Sequence, residues 1–346
     1  MEFIRYTPSH YELLLQRRDD PHFPQAFHHR EFVDWYYTSS GHCHLALFLE
    51  KGELAGCIGV ELMRFESAGR PLQVAASNNH VAFLPGIGGL QLLYWMRAAP
   101  YSMVFGGSQE THAILRQHRW HYFPPVPILL ANRKWTYHGH PWHWRNLVKR
   151  GVALLWPPGH LAEERSAIRR QGGESLQVRE VSRLEAEMLP RVSPFHFRLA
   201  PSVDYLRWRY DTTLRFVHYR LFCISNGLEQ VGYVIVQESQ ERILVSQCDG
   251  NDVLLLSCGI LLALADLTEH DRHPREMQLS CCHPEMQRIF LLFGFHNSFH
   301  PRPFVMGAQR GELPMAHNTR HWLVNFDWND NGLRPPFSDR ENHYGG

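Results

Sequence analysis

Apolar and polar residues along this chain predict one succession of elements, met twice. Phe3–Tyr6 reads as a short strand. Pro8, at a first helical position after Thr7 as cap, opens a helix over 9–17, and a second helix is predicted over 29–38. The apolar runs His44–Glu50 and Leu54–Glu66, joined by the turn Lys51-Gly52, predict a β-hairpin. Leu72–Phe83 is a third long strand that ends at a cluster of glycines. A helix over Leu90–Ala99, a strand over Ser102–Gly106 and a helix over Glu110–Arg119 follow, and Val126–Tyr137 starts a closing strand pair. The second series runs Leu176–Val181, helix 202–210, then strands 217–224, 230–238 and 241–248. It continues with helix 253–268, strand 276–282, helix 284–292, and strands 302–308 and 320–327.

Landmarks at one offset mark the two series as copies. Trp35 and Trp208 lie 173 residues apart, within Glu31–Tyr37 and Asp204–Tyr210. Gly56 and Gly232 are 176 apart, Trp120 and Phe295 are 175 apart, and Pro127 and Pro303 are 176 apart. The expected organisation is a first domain over 1–138, a helical linker over 139–174, a second domain over 175–330 and a flexible tail over 331–346. Within the linker, helices over 143–155 and 160–170 flank a Pro-Pro break. Lys149 and Arg150 beside Val152–Trp156 fit a membrane-surface helix, and packing on a neighbouring domain is the commoner use of such a stretch.

Composition then narrows the class. At 346 residues, with 44% hydrophobic and 20% charged residues, the chain is an ordinary globular one of about two domains. The net charge of +1 gives no global attraction for nucleic acid. No basic, apolar leader begins the sequence. The longest apolar stretch, Val253–Leu267, is too short and too acid-flanked to span a membrane and reads as a buried helix. Seven scattered cysteines without a CxxC suit a reducing cytosol, so a cytoplasmic location is expected. Five of the 24 histidines sit in His42-Cys43-His44 and in His138–His143, but neither tract has the two separated ligand pairs of a zinc site, and no metal is expected.

The glycine cluster carries candidate chemistry. Phe83-Leu84-Pro85-Gly86-Ile87-Gly88-Gly89 stands between a strand and a helix. Backbone N–H groups at a helix N-terminus bind phosphates, and glycines let the phosphates approach. Read with the order of elements, the segment resembles the phosphate loop of the GNAT (Gcn5-related N-acetyltransferase) fold, [R/Q]-x-x-G-x-[G/A], at Gly86 and Gly88. It departs from that loop at Phe83, and Pro85 removes one donor. Glu285–Phe295 resembles the family's late helix, with Glu110–Trp120 in the same place in the first copy. The segments Asp204–Tyr210 and Val231–Val236 are similar to tandem GNAT proteins associated with bacterial polysaccharide biosynthesis. The resemblance implies an α/β (α+β) chain with two GNAT-like domains, each a mixed, mostly antiparallel sheet flanked by helices. It also implies acetyl-CoA, or another acyl-CoA, held by Val81, Ala82, Phe83, Gly86, Ile87, Gly88 and Gly89. The second copy has Asp249 and Asp252 where phosphates would rest, so it is expected to wall the substrate cleft or bury the first copy's open face.

Amine attack on a thioester needs a base and a proton for the leaving thiolate. His80, at the end of the third strand, titrates near neutrality and is one candidate base; the other reading is a hydrogen-bonded strand histidine. Glu61, inside the apolar run Cys57–Met63, is a second candidate if it faces the cleft, and otherwise a solvent-side strand carboxylate. The tyrosine that the family's late helix often uses as acid is absent: Phe290 stands there in the second copy, and Gln117 or His118 in the first. Tyr122 is a possible substitute. Arg207 and Arg209 cannot both face inward from one amphipathic helix, so one is a candidate for an anionic group of the acceptor, with a structural ion pair as the alternative. Trp35 and Trp208 read as core anchors ahead of sugar-stacking platforms. The expected function is N-acyl transfer to a small-molecule or saccharide amine. The alternatives are a binding or scaffold protein without turnover, and an aminoacyl transferase of the FemX type.

Overall fold

The computed structural model describes residues 1–132, 161–271, 274–298, 300–315 and 318–328. The expected linker helix over 143–155, the His138–His143 tract and the tail over 331–346 lie outside them. The chain forms two compact units, and neither is a continuous half. Unit 1 comprises Met1–Val126, Phe195–His218 and Arg302–Gly346; unit 2 comprises Pro127–Pro194 and Tyr219–Pro301.

The sheet of unit 1 has the order β1 (Glu2–Arg5), β2 (Cys43–Glu50), β3 (Glu53–Ser67), β4 (Arg70–Ala82), β5 (Tyr101–Phe105), β15 (Arg302–Ala308) and β6 (His121–Val126). A short strand, β9 (Phe197–Leu199), pairs with the end of β3. The hairpin of β2 and β3 forms as its apolar pattern predicts. Among these strands only β4 and β5 run parallel, joined by helix α3 (Ile87–Met96). α3 is pinned to β4 by the Trp95 indole, which donates to the Ala75 carbonyl at 2.9 Å. The predicted helix over 9–17 is a single 3-10 turn followed by α1 (Tyr11–Leu15). Helix α2 (Arg30–Thr38) buries Phe32, Val33, Tyr36 and Tyr37. Helix α4 (Gln109–Gln117) follows β5 and is capped by Ser108.

The sheet of unit 2 has the order β14 (His296–Asn297), β7 (Ile128–Ala131), β13 (Glu276–Ser280), β12 (Arg242–Gly250), β11 (Glu229–Glu238), β10 (Tyr219–Asn226) and β8 (Leu176–Val181). Helix α5 (Arg165–Gly172) packs on helix α7 (Val253–Thr268), which is the long apolar stretch and is buried as expected. Helix α8 (Pro284–Leu292) completes the unit.

The sequence predicts that each copy closes its own sheet, and this is corrected by the pairing. The closing strands are exchanged: β7, from the first half of the chain, lies between β13 and β14, while β15, from the second half, lies between β5 and β6. The prolines of the repeat sit at the exchange. Pro127 separates β6 from β7, and Pro303 lies at the start of β15. The apolar patterns of β7 and β15 suit either sheet, so the strands themselves do not encode which one they join. The expected strand over 320–327 is also corrected. The segment holds a 3-10 turn over Thr319–His321 and then a buried stretch with a single bridge, Phe197 to Trp322. It packs by its aromatic rings, Trp322 lying 4.6 Å from Phe197 between ring centroids.

The glycines of the repeat have one physical cause. A Cβ on Gly56 would lie 2.8 Å from the Val81 carbonyl, and one on Gly232 would lie 2.1 Å from the Asp249 carbonyl. In both units the adjoining strand's backbone occupies the space that a side chain needs.

Candidate active site

Helix α6 (Val203–Arg209), the second copy's counterpart of α2, belongs to unit 1. The landmark tryptophans therefore meet, Trp35 and Trp208 at 6.0 Å, and Trp208 stacks on Tyr36 at 5.6 Å and 10°. Both act as the core anchors the sequence suggests. Under them lies a buried charge. Glu61, 5% exposed, accepts from the Tyr36 hydroxyl at 2.7 Å and from the Tyr205 hydroxyl at 2.6 Å. Arg209, 1% exposed, places Nε 3.5 Å from the same carboxylate. Burial, then the Glu61 charge, hold both tyrosines well above the ordinary phenol range. The network continues through Asn78, which donates to the Tyr36 hydroxyl and accepts from Tyr37, and ends at Asn79, which donates to Tyr37.

The solvent-side reading of Glu61 is thus replaced by a buried one. Arg209 lies against Glu61, the ion pair given as the alternative reading of these arginines. Arg207, on the outer side of α6, lies 3.9 Å from Asp204.

His80 lies elsewhere, and a β-bulge explains why. Gly59 pairs with Asn78 but Cys57 pairs with Val81, so β4 carries one extra residue there, and Asn79 takes φ 45°. Alternation would put His80 on the same face as Asn78. The extra residue turns it to the opposite face, toward α3. There His80 Nε2–H donates to Gln91 Oε1 at 2.9 Å. The tautomer follows from Gln91, whose amide donates to the carbonyls of Cys57 and Val81 at 3.0 and 2.8 Å, leaving its oxygen to accept. Nδ1 of His80 has no hydrogen bond among the described residues. Burial lowers the imidazole pKa, opposed by the Gln91 hydrogen bond, so the neutral ring dominates at neutral pH. The two candidate bases, Glu61 and His80, are not brought together.

Gln91 is a residue the sequence reading missed. It is fully buried, and its place requires Gly56, where a Cβ would stand 2.5 Å from Gln91 Nε2. Gly56→Ala is expected to cost about 1–3 kcal/mol by overpacking, read as a lower denaturant midpoint at unchanged slope.

The glycine loop follows at once. The Phe83 amide donates to the Ala55 carbonyl at 2.9 Å, and the Val81 carbonyl is taken by Gln91. Ala82 is exposed, and the Ile87 amide has a long bond of 3.4 Å to Leu84. Gly86 takes φ 84° as the N-cap of α3, with no side chain capping it. Space above Gly86 and Gly89 is open, and Gly88 meets only the Ala82 methyl at 3.8 Å. The amides of Gly88 and Gly89 accordingly point from a helix N-terminus with no protein acceptor among the described residues. Arg17, also missed, holds its guanidinium 5.8 Å from the Phe83 ring centroid. Beside the loop, pairing between β4 and β5 stops at Ala76 and Met103, while β4 continues to Ala82. The carboxyl ends of these two parallel strands are therefore free of each other, which is where ligands enter open α/β sheets.

The sequence matches no protein-family model and no curated protein. Solved structures do match. A GCN5-related N-acetyltransferase from Kribbella flavida superposes with TM-score 0.56 and 13% identity, over 89% of this chain and 70% of that one. One from Anabaena variabilis gives 0.55 and 9%, over 88% and 72%. A protein of unknown function from Enterococcus faecalis, described as a probable N-acyltransferase, gives 0.55 and 8%, over 89% and 72%. The chain has the GNAT fold.

Within that fold the second glycine-loop position differs. In unit 2 Asp252 caps α7, its carboxylate accepting from the Leu255 amide at 2.8 Å. Asp249 is 1% exposed and accepts from the Gly250 amide. The helix end that is open in unit 1 is closed by a carboxylate in unit 2. Tyr122 gives its hydroxyl proton to the His112 carbonyl at 3.0 Å, so it is not presented as an acid. Among the described residues, no group of three or more His, Cys, Asp or Glu could hold a metal ion, and no helix is long and apolar enough to cross a membrane.

Proposed function

We propose that unit 1 is an acyl-CoA-dependent N-acyltransferase acting on a small-molecule amine, with acetyl-CoA as acyl donor. The observation that carries this reading is the uncapped, glycine-lined N-terminus of α3 at the diverging end of β4 and β5. Gly88 and Gly89 offer their amides to the pyrophosphate, Gly86 and Ile87 shape the turn, and Val81, Ala82 and Phe83 line the strand beside the donor. Arg17 supplies the cation that Phe83 does not. The acceptor amine attacks the thioester carbonyl directly: the C–N bond forms, the C–S bond breaks, and CoA leaves as the thiolate, which takes up the proton given up by the amine. His80 Nδ1 removes the ammonium proton, and Gln91 fixes the ring so that this nitrogen faces outward. Glu61 positions: it holds Arg209, Tyr36 and Tyr205 together. Amino sugars are the first acceptors to screen, in keeping with the polysaccharide-linked proteins that the sequence resembles.

The test is calorimetric titration with acetyl-CoA. Micromolar binding is expected for the native chain, weakened at least tenfold (about 1.4 kcal/mol) by Gly88→Glu, which puts a carboxylate in the phosphate cradle. The absence of heat with acetyl-CoA and with longer acyl-CoAs would overturn the reading in favour of a non-catalytic binding protein.

A further inference from the structure

Unit 1 contains a second concavity at the other end of the same strands. A cavity of about 390 Å³ is walled by the end of α3, by Trp120 and by the residues that close β15. That volume falls in the range of small-molecule sites, about 300–1,000 Å³. Ser102 lies at its floor and pairs, through β5, with Ala75 of β4. Seven residues of β4 separate Ala75 from Ala82, or about 23 Å at 3.3 Å per residue. The cavity is therefore not the glycine-loop site.

Its lining has a definite chemistry. Leu93, Met96 and the Trp120 indole make the apolar wall. Gly307 packs against that indole so closely that a Cβ would come within 2.6 Å of the ring, which sets the ring plane. Gln309 donates to the Met96 carbonyl at 2.9 Å and ties the loop after β15 to α3. The remaining side-chain polar groups include the cations Arg97 and Arg310, the Ser102 hydroxyl and the Gln309 amide oxygen. Arg97 and Arg310 are exposed at the rim and have no acidic partner among the described residues. Ser102, 3% exposed, and the Trp120 indole N–H have no hydrogen bond among those residues either. No Asp or Glu among the described residues lines the cavity.

Two guanidiniums on the rim of one cavity favour an oxyanion over a cation, and each can bind it through two parallel N–H groups. We infer that this cavity binds a small amphipathic carboxylate, its apolar body against Trp120, Leu93 and Met96 and its head between Arg97 and Arg310. The inference does not depend on acyl transfer.

The full chain would be titrated calorimetrically with 3-phenylpropionate, in parallel with the neutral 3-phenylpropan-1-ol. Saturable binding of the acid is expected, at least tenfold tighter than that of the alcohol. Arg97→Gln/Arg310→Gln is expected to weaken it at least tenfold at an unchanged melting temperature, because neither side chain supports the fold. Ala308→Phe, which fills the cavity, is expected to abolish it. Saturating acetyl-CoA should leave the isotherm as it was. The inference is overturned by no saturable heat up to about 10 mM acid, by equal binding of the alcohol, or by full binding in the double arginine variant.

Discussion

Glu61→Gln is expected to lower the stability of the chain by about 3–5 kcal/mol, the range found when one partner of a buried ion pair is removed. Arg209 is 1% exposed, and the substitution removes an anionic partner from a cation that stays buried. Two tyrosine hydroxyls would lose their anionic acceptor as well. In a unit of this size the melting temperature should fall on the order of 10 °C. The double variant Glu61→Gln/Arg209→Met should recover part of the loss, because the buried cation is removed together with its carboxylate. If the single variant melts like the native chain, the network is not a structural anchor. The pair also has a specific task. Glu61 lies on β3 in the first half of the chain and Arg209 on α6 in the second, so it ties a segment of the second half into unit 1.

His80→Ala is expected to reduce kcat/KM by about 10²–10⁴, the usual contribution of a general base, with acetyl-CoA binding preserved. Its pH profile is the sharper readout. On the proposed role of His80 as base, the active form is neutral, so activity should be lost as pH falls through the His80 pKa. Burial lowers that pKa, so the acid limb should lie below the ordinary histidine value near 6.5. The Gln91 hydrogen bond acts in the other direction, so Gln91→Met should move the limb further toward acid. An acid limb that persists unchanged in His80→Ala would assign the base to another group.

The parts of this chain that were legible in its sequence are those set by local pattern. Hairpins, the long buried helix, the glycine loop and the second copy's carboxylates follow from alternation, turn chemistry and capping, which act over a few residues. Even the repeat was readable, since Gly56 and Gly232 each answer one local clash. His80 marks the limit. Counting by twos along β4 places it with Asn78, and a bulge that no residue type announces turns it over to Gln91. Glu61 shows the same limit from the other direction. One carboxylate in an apolar run is compatible with solvent, a cleft or a buried pair. Its partners come from 144 and 148 positions away, at Tyr205 and Arg209.

By itself, then, the sequence determined most of the elements and their order, the repeated landmarks and the difference between the two glycine-loop positions. The tertiary structure alone decided which sheet each closing strand joins, which face His80 takes and what neutralises Arg209. The physical reason is one of range. Propensity, alternation and capping are short-range and written beside the residues they govern. Strand exchange and buried charge pairing are settled by desolvation and packing among segments far apart in the chain, where apolar strands of equal pattern compete and only the assembled core distinguishes them.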